Sequence, residues 1–367
     1  MIIPLIDLHA QYMELRKEIL EATERVFDSG VYIGGPEVEA LEKGITTLTQ
    51  SQYAVSTANG TDALILALEA CGVGPGDEVI TTPYTFFASA EAIARRGAIP
   101  VFADIDERTY NLSPEETEKK ITSKTKAIIP VHIFGQPADM DAFNDMAKRH
   151  NLAIIEDACQ ALGAGYKNKP IGALGHIGCI SFFPTKNLGG YGDGGIVVTN
   201  DEDMADRIKL LGHHGSKRKY YHDVVGYNSR LDSLQAAILR VKLSKLQEWN
   251  AKRKQKASIY AEQLKHTALS VPTVDDHVDH VFHLFAVESD HRDQIAAQLQ
   301  QAGISTGHYY PCPLHLQKAL AYLGYKRGDF KVAEKVCERS LALPMSPHLT
   351  EEQQTYIIEK VQQLTKG

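Results

Sequence analysis

The stretch Leu152-Ala-Ile-Ile-Glu-Asp-Ala-Cys-Gln160 decides the fold class. Its apolar part, Ala153-Ile-Ile, has no polar alternation, which is typical of a strand buried on both faces of a parallel sheet. Ala127-Ile-Ile-Pro-Val131 has the same character. Helical patterns, such as Thr61–Cys71 and Pro137–His150, lie between runs of this kind. The alternation predicts an α/β protein whose mainly parallel sheet is covered by helices.

Seven β-rich runs are predicted to form this sheet: Tyr53–Thr57, Glu78–Thr82, Ile99–Asp104, Lys126–Phe134, Leu152–Glu156, Cys179–Phe183 and Gly195–Thr199. A long amphipathic helix is predicted over Leu231–Gln263, and its basic run Lys252–Lys256 is interpreted as a solvated face. The pattern changes beyond this helix. We therefore expect a large domain over residues 1–248, which includes an N-terminal helix, and a smaller α/β domain over residues 249–367.

The composition is that of an ordinary globular protein, with 43% hydrophobic and 23% charged residues. A net charge of −7 argues against a nucleic-acid-binding protein, which needs an extensive basic surface. The five cysteines are scattered and form no CxxC pair, so reduced thiols are expected. No apolar run reaches the ~20 residues that span a bilayer, and the first residues do not resemble a signal peptide. We expect a cytoplasmic protein that does not contact membranes.

Two polar residues follow predicted buried strands. Asp157 comes at the carboxyl end of its strand, where ligands bind in open α/β sheets; the alternative is a helix cap. Lys186 lies in the glycine-rich segment Ser181-Phe-Phe-Pro-Thr-Lys-Asn-Leu-Gly-Gly190. A lysine in a dry pocket loses pKa and becomes nucleophilic, whereas most lysines are ordinary surface residues.

Two further segments complete a pattern. Ala58-Asn-Gly-Thr-Asp-Ala63 follows a strand and opens a helix, which favours a site for a single phosphate. Tyr84-Thr-Phe-Phe-Ala-Ser89 offers an aromatic ring to a planar ligand, although a core aromatic is the alternative. A phosphate site, a stacking ring, a carboxylate and a lysine are together the groups that pyridoxal 5′-phosphate (PLP) requires.

Ordered stretches along nearly the whole chain resemble the DegT/StrS family of sugar aminotransferases, within the fold type I (aspartate aminotransferase-like) PLP enzymes. The stretches are Pro4–Asp7, Gly34–Glu39, Ala58–Leu64, Gly74–Val79, Thr85–Ala88, Val131–Gln136, Glu156–Gln160, Ser181–Gly190, Gly226–Asp232 and Tyr310–His315. The resemblance implies a large domain with a mainly parallel seven-stranded sheet and a smaller C-terminal α/β domain. It also implies a homodimer with shared active sites.

The resemblance assigns roles residue by residue. Lys186 is the catalytic lysine that holds PLP as a Schiff base, and Asp157 is the partner of the pyridine nitrogen. The other implied cofactor residues are Gln160 for the 3-oxygen, Phe86 for the ring face, Gly60, Thr61 and Ser181 for the phosphate, and Asn228 for the phosphate of the neighbouring subunit. Asn228 is alternatively a turn asparagine in Gly-Tyr-Asn-Ser.

The implied substrate-binding residues are Tyr32, Thr185, Arg230, Tyr309 and Tyr310. Arg230 either clamps an anionic group bidentately or pairs with Asp232. His308 is displaced by one position from the His-Tyr-Pro stretch of many relatives, which leaves its role open. The basic loop His213–Lys219 either attracts a diphosphate or is simply solvated. His213 and His214 lack partners at metal-ligand spacing, so no metal is predicted.

The lysine segment also bears on the substrate. Members of the family that aminate C3 of a sugar tend to have Lys-Asn-Leu-Gly followed by Gly-Asp-Gly-Gly. This chain has the same residues at Lys186–Gly189 and Gly192–Gly195. The resemblance therefore implies transfer of an amino group from L-glutamate to C3 of a UDP-linked keto-sugar. C4 amination of a dTDP- or UDP-4-keto-6-deoxysugar is the alternative. Related dehydratases carry histidine in place of Lys186, and a PLP-binding regulator without catalysis is a further alternative.

Overall fold

The structure, a computed structural model, describes residues 1–365. Its helices are α1 (Leu8–Ser29), α2 (Pro36–Thr49), α3 (Gly60–Ala70), α4 (Ala88–Arg95), α5 (Pro114–Glu118), α6 (Met140–His150), α7 (Glu202–Gly212), α8 (Ser233–Leu243), α9 (Leu246–Leu264), α10 (Arg292–Gln301), α11 (Lys331–Arg339) and α12 (Glu351–Thr365). Its strands are β1 (Tyr53–Thr57), β2 (Glu78–Thr81), β3 (Ile99–Phe102), β4 (Thr125–Ile129), β5 (Ala153–Asp157), β6 (Gly165–Tyr166), β7 (Lys169–Pro170), β8 (Ile177–Ser181), β9 (Gly195–Thr199), β10 (Val278–Asp279), β11 (Phe285–Glu288) and β12 (Ser340–Leu343).

The central sheet contains all seven predicted strands in the order β1-β9-β8-β5-β4-β2-β3. Strand β9 runs antiparallel to both of its neighbours, and the other neighbouring pairs are parallel. Helices α4, α5 and α6 connect β2 to β3, β3 to β4 and β4 to β5, whereas the connection from β5 to β8 carries only the short strands β6 and β7. The predicted α/β class and the mainly parallel sheet are therefore confirmed.

Five of the seven strands differ from their predicted bounds, and two of these differences change which residues lie at the edge of the sheet. The run predicted over Lys126–Phe134 ends at Ile129, because Pro130 has no N–H to donate to the ladder. The run predicted over Cys179–Phe183 begins earlier and ends at Ser181. Both strands consequently end sooner than predicted, and the polar residues that follow them lie at the carboxyl edge of the sheet.

The long helix predicted over Leu231–Gln263 is wrong, because it is two helices, α8 and α9. The Ser244 hydroxyl donates to the Val241 carbonyl at 2.7 Å, and the Lys245 N–H donates to the Lys242 carbonyl at 3.0 Å. The second bond spans three residues instead of four and ends α8. The predicted solvated face is also wrong at Arg253, which is only 2% exposed.

Helix α3 is a buried core element whose N-terminus lies at the carboxyl edge of the sheet. Its residues from Ala63 to Leu68 are buried on all sides, against the sheet and against α4 and α7. A helix that is apolar all round is held as a core element. Its N-terminus at Gly60 therefore lies at the same edge as the carboxyl ends of β5 and β8.

A second apolar core gathers α9, α10, α12 and the antiparallel pair β11–β12. Ile3 belongs to this core and pairs with Ile304, so the start of the chain packs on its later part. The predicted boundary between residues 248 and 249 falls inside α9, and the division into two domains stays a prediction. Within residues 1–365, no helix is both long and apolar enough to cross a membrane.

Candidate active site

A cavity of about 470 Å³ opens at the carboxyl edge of the sheet, between the N-terminus of α3 and the ends of β5 and β8. It brings together most of the predicted site residues: Gly60, Thr61, Phe86, Asp157, Gln160, Ser181, Thr185, Lys186, Tyr309 and Tyr310. Three predicted residues lie outside it: Tyr32, Asn228 and Arg230.

Lys186 is presented by a tight loop after β8, residues 182–194, which we call the lysine loop. The Lys186 N–H donates to the Phe183 carbonyl at 2.9 Å, and the Gly190 N–H donates to the Phe182 carbonyl at 2.8 Å. A side chain at Gly189 would come within 2.3 Å of the Pro184 carbonyl oxygen, so this turn requires glycine. Burial lowers the pKa of the Lys186 amine, opposed by Cys159 and Asp157. A buried amine of lowered pKa is a nucleophile.

Asp157 ends β5 and lines the cavity together with Lys186. The Ser89 hydroxyl donates to its Oδ2 at 2.7 Å, and the Cys159 N–H donates to its Oδ1 at 3.2 Å. The residue is 5% exposed. Two donors hold this buried carboxylate in one orientation, as a partner for a positively charged ring nitrogen must be held.

Gln160 is fixed between a backbone amide and a tyrosine. Its Oε1 accepts from the Phe134 N–H at 2.8 Å, and its Nε2 donates to the Tyr310 hydroxyl at 3.0 Å. Burial raises the pKa of Tyr310 above its ordinary value, so its hydroxyl keeps its proton. The amide and the hydroxyl form one short polar chain along the cavity wall.

The first turn of α3 forms a floor for an anion. The Asn59 side chain caps the helix by accepting from the Asp62 N–H at 2.8 Å. The first turn of a helix leaves N–H groups without helical partners, which favours a phosphate. A Cβ on Gly60 would lie 2.7 Å from Cβ of Ser181, so the close approach of α3 to the end of β8 requires this glycine.

Phe86 stands at the cavity with 58% of its surface exposed. An exposed large aromatic beside a cavity is available for contact with a planar ligand. Tyr84 in the same segment is fully buried and packs edge-to-face on Phe134 and Tyr310. The core alternative therefore applies to Tyr84 and not to Phe86.

Of the residues outside the cavity, Tyr32 and Asn228 are exposed and Arg230 is half-buried. Arg230 donates from Nη2 to Oδ1 of Asn228 at 2.5 Å, and Tyr32 is 49% exposed. Within residues 1–365, Arg230 forms no ion pair with Asp232. His308 also lies outside the cavity, with Nε2 4.0 Å from Oδ1 of Asp293.

Two residues that bear on the site, Ser89 behind the cavity wall and His283 in its lining, were not predicted from the sequence. Ser89, which orients Asp157, was quoted only as the end of an aromatic segment. His283 lines the cavity from a later part of the chain, 96 positions beyond Asn187 by numbering, and no motif marked it. The sequence alone does not distinguish a histidine of the core from one that lines a cavity. The contact of His283 with the cavity therefore became visible only in the folded chain.

A sequence model of the DegT/DnrJ/EryC1/StrS aminotransferase family matches residues 13–362. The chain belongs to this family. It is 49% identical to the "Pleiotropic regulatory protein" of Geobacillus stearothermophilus, over 98% of this chain and 97% of that one. It is 44% identical to the UDP-N-acetyl-3-dehydro-alpha-D-glucosamine 3-aminotransferase of Acidithiobacillus ferrooxidans, over 100% of this chain and 98% of that one.

Solved structures also superpose closely on this chain. DesV of S. venezuelae, solved in complex with a ketimine intermediate, superposes with a TM-score of 0.98 at 42% identity, over 100% of this chain and 99% of that one. NtdA of Bacillus subtilis, solved with bound cofactor PMP, superposes with a TM-score of 0.91 at 32% identity, over 99% of this chain and 83% of that one. The fold type I assignment is therefore confirmed.

The cavity fits the PLP of this family. It holds the Lys186 amine, whose pKa is lowered by burial, and the Asp157 carboxylate, which is held by two donors. It also holds the N-terminus of α3, whose close approach to β8 requires Gly60. These are the partners of an aldehyde, a pyridine nitrogen and a phosphate. PLP is the cofactor that the family and these residues indicate.

Proposed function

We propose that this protein transfers an amino group from L-glutamate to C3 of a nucleotide-linked keto-sugar, a UDP-sugar in the first instance. The observation that carries the proposal is the meeting of Lys186 and Asp157 in one cavity, with the Lys186 pKa lowered by burial. The family and its named relatives support the reaction class.

The proton transfers of both half-reactions are assigned to Lys186. When bound, PLP supplies an electron sink that stabilises negative charge on a carbon bearing the transferred nitrogen. Lys186 Nζ, whose pKa is lowered by burial, takes up the proton from the α-carbon of the donor. In the second half-reaction, Lys186 Nζ returns a proton to the sugar carbon that receives the nitrogen. One site thus serves both half-reactions, which predicts ping-pong kinetics.

The other residues hold the ligand in place. Asp157, oriented by Ser89, pairs with the ring nitrogen, and Gln160 meets the 3-oxygen. Phe86 covers the ring face. Gly60, Thr61 and Ser181 bind the phosphate, and Thr185, Tyr309 and Tyr310 contact the sugar nucleotide. These roles are supported by the common cavity.

We also propose a homodimer in the cytoplasm, with each active site completed by the other subunit. Asn228, Arg230 and Tyr32 are outside the cavity of their own chain; Asn228 and Tyr32 are exposed and Arg230 is half-buried. In this arrangement Asn228 reaches the partner's phosphate site, and Arg230 and Tyr32 face the partner's sugar nucleotide. The cavity in one chain contains only one basic side chain that is ordinarily charged, Lys186, so an anionic substrate gains a cation from Arg230.

The choice of C3 over C4 rests on the lysine loop and on relatives named for 3-amino or 3-keto sugars. The nucleotide differs among these relatives, which are named for UDP- and dTDP-sugars. The test incubates the purified protein with PLP, glutamate and a panel of UDP- and dTDP-linked 3-keto and 4-keto sugars. We expect product masses that show amination of 3-keto sugars; amination of 4-keto sugars alone would overturn the C3 assignment.

A second candidate is a PLP-binding regulator, because the relative at 49% identity is named a regulatory protein. A single-turnover assay that starts from the pyridoxamine form separates the two. Amination of a keto-sugar supports the transferase. A protein that binds the cofactor but fails to turn over any keto-sugar of the panel supports the regulator.

A further inference from the structure

His283 enters the cavity from a segment that no cofactor motif includes. Residues 281–284, which we call the crossing segment, pass across Phe134 and Gly135 just before β11. The Val281 N–H donates to the Gly135 carbonyl at 3.1 Å, and the His283 N–H donates to the Phe134 carbonyl at 2.8 Å. A Cβ on Gly135 would come within 3.1 Å of the His283 amide nitrogen, so the crossing is close.

The imidazole of His283 is buried, and no hydrogen bond within residues 1–365 involves it. The residue is 5% exposed and lines the same cavity as Lys186. Its Nδ1 is fully covered and makes no hydrogen bond in residues 1–365, so the ring nitrogen that a ligand in the cavity can reach is Nε2. A buried polar group without a partner costs about 1–3 kcal/mol, so such groups in folded proteins call for an explanation.

The surroundings of His283 favour the neutral form of its imidazole. Burial lowers the pKa of His283 well below its ordinary value, and the neighbouring Lys186 and Arg253 side chains lower it further. The groups that face it from the packed elements are these two side chains, and the Arg253 guanidinium is itself turned toward backbone carbonyls. A neutral imidazole offers one donor and one acceptor to a ligand.

The backbone of His283 is held from two further directions. Arg253 Nη1 donates to the carbonyls of Phe282, His283 and Met345 at 3.3, 3.4 and 3.2 Å. Asn187, which follows Lys186 in the lysine loop, donates from Nδ2 to the Val281 carbonyl at 3.2 Å. Asn187 does not line the cavity. It therefore connects the lysine loop to the crossing segment instead of contacting a ligand.

We propose that His283 is an additional binding residue of the active site, whose neutral imidazole forms a hydrogen bond with an oxygen of the ligand held at Lys186. Asn187 and Arg253 are its positioning residues. The oxygen belongs either to the cofactor or to the sugar, and the shared chemistry is a hydroxyl or carbonyl oxygen within reach of the imidazole. The sugar alternative rests on the proposed function, whereas the cofactor alternative does not.

The test compares His283→Phe, which keeps the ring volume, with His283→Gln, which keeps a hydrogen-bonding group. His277→Phe is the matched control, because His277 is exposed and lies outside the cavity. Two quantities are measured: the dissociation constant of PLP from the purified protein, followed by absorbance after dialysis, and KM for the keto-sugar. Thermal denaturation of each variant checks that it is folded.

We expect His283→Phe to raise one of these constants about tenfold, the effect of losing one hydrogen bond, and His283→Gln to restore part of it. A raised PLP constant identifies the cofactor oxygen, and a raised KM alone identifies the sugar oxygen. If His283→Gln, folded, and His283→Phe both match His277→Phe in the two constants, the proposal is overturned. A wild-type protein without sugar turnover refutes the proposed function, while the PLP measurement still decides whether His283 contacts the cofactor.

The positioning role of Asn187 has its own readout. In a double-mutant cycle, Asn187→Ala is combined with His283→Phe, since residues that act through one another are not additive. We expect Asn187→Ala to raise the affected constant in the wild-type background and to have little further effect in the His283→Phe background. Additive effects would show that Asn187 acts independently of His283.

Discussion

Two walls of the active-site cavity differ in how the chain builds them. One wall is the carboxyl edge of the sheet, with Asp157 at the end of β5 and Lys186 in the loop after β8. The other is the crossing segment, which brings His283 to the cavity over Phe134 and Gly135. The sheet edge carries a carboxylate held by two donors and a lysine of lowered pKa, whereas the crossing segment carries an imidazole whose Nδ1 makes no hydrogen bond within residues 1–365. The difference suggests that the sheet edge does the chemistry and the crossing segment recognises the ligand.

The largest expected effect is that of removing the Lys186 amine from the sheet-edge wall. We expect Lys186→Ala to lower turnover by roughly 10⁴-fold or more, since the nucleophile and proton carrier are both lost. The absorbance of the lysine-bound cofactor should disappear as well. Lys252→Ala, a change at a half-exposed lysine of α9, is the control and should leave both unchanged. Retained turnover in Lys186→Ala would rule out the assignment of the catalytic lysine.

The carboxylate of the same wall should matter less than the amine. We expect Asp157→Asn to lower kcat/KM by about 10²–10³-fold, because a neutral amide does not stabilise a positively charged ring nitrogen. Ser89→Ala should cost about tenfold, since only one hydrogen bond to Asp157 is lost. Steady-state kinetics of the two variants check this order. A Ser89→Ala effect as large as that of Asp157→Asn would show that Ser89 contacts a ligand directly.

The two walls also differ in what the sequence could show. Asp157 and Lys186 were predictable because residues that follow buried parallel strands meet at one edge of a sheet, whatever the details of packing. His283 was not, because its approach depends on a crossing between residues far apart in the chain. The break between α8 and α9 and the burial of Arg253 have the same origin, since both depend on tertiary contacts that helical periodicity does not report.

Arg253 tests whether the crossing segment depends on a buried cation. Its guanidinium bonds three backbone carbonyls, which stay buried if the donor is removed. We expect Arg253→Met to lower the free energy of unfolding by about 2–4 kcal/mol, the cost of leaving such groups unpaired. Urea denaturation measures it, with Lys252→Met on the same helix as the control. Equal stabilities of the two variants would mean that Arg253 does not hold the crossing segment.

The smallest expected effect concerns helix α8, which contacts the lysine loop through Lys242. Lys242 is fully buried; its Nζ donates to the Gly189 carbonyl and lies 4.8 Å from the Tyr191 ring centroid. Burial lowers its pKa from the ordinary value of 10.5 to about 7. Below pH 7 the amine is charged in both the folded and the unfolded chain, so it adds no pH dependence there.

Between pH 7 and about 10 the unfolded chain binds the proton of Lys242 more often than the folded chain does, so this residue makes stability rise with pH. We expect Lys242→Met to flatten that rise, and urea denaturation at pH 6, 8 and 9.5 measures it. Parallel stability curves for the variant and the wild type would contradict the lowered pKa. A flattened curve with unchanged PLP affinity would show that the helix side of the lysine loop affects stability alone, which leaves ligand recognition to the crossing segment.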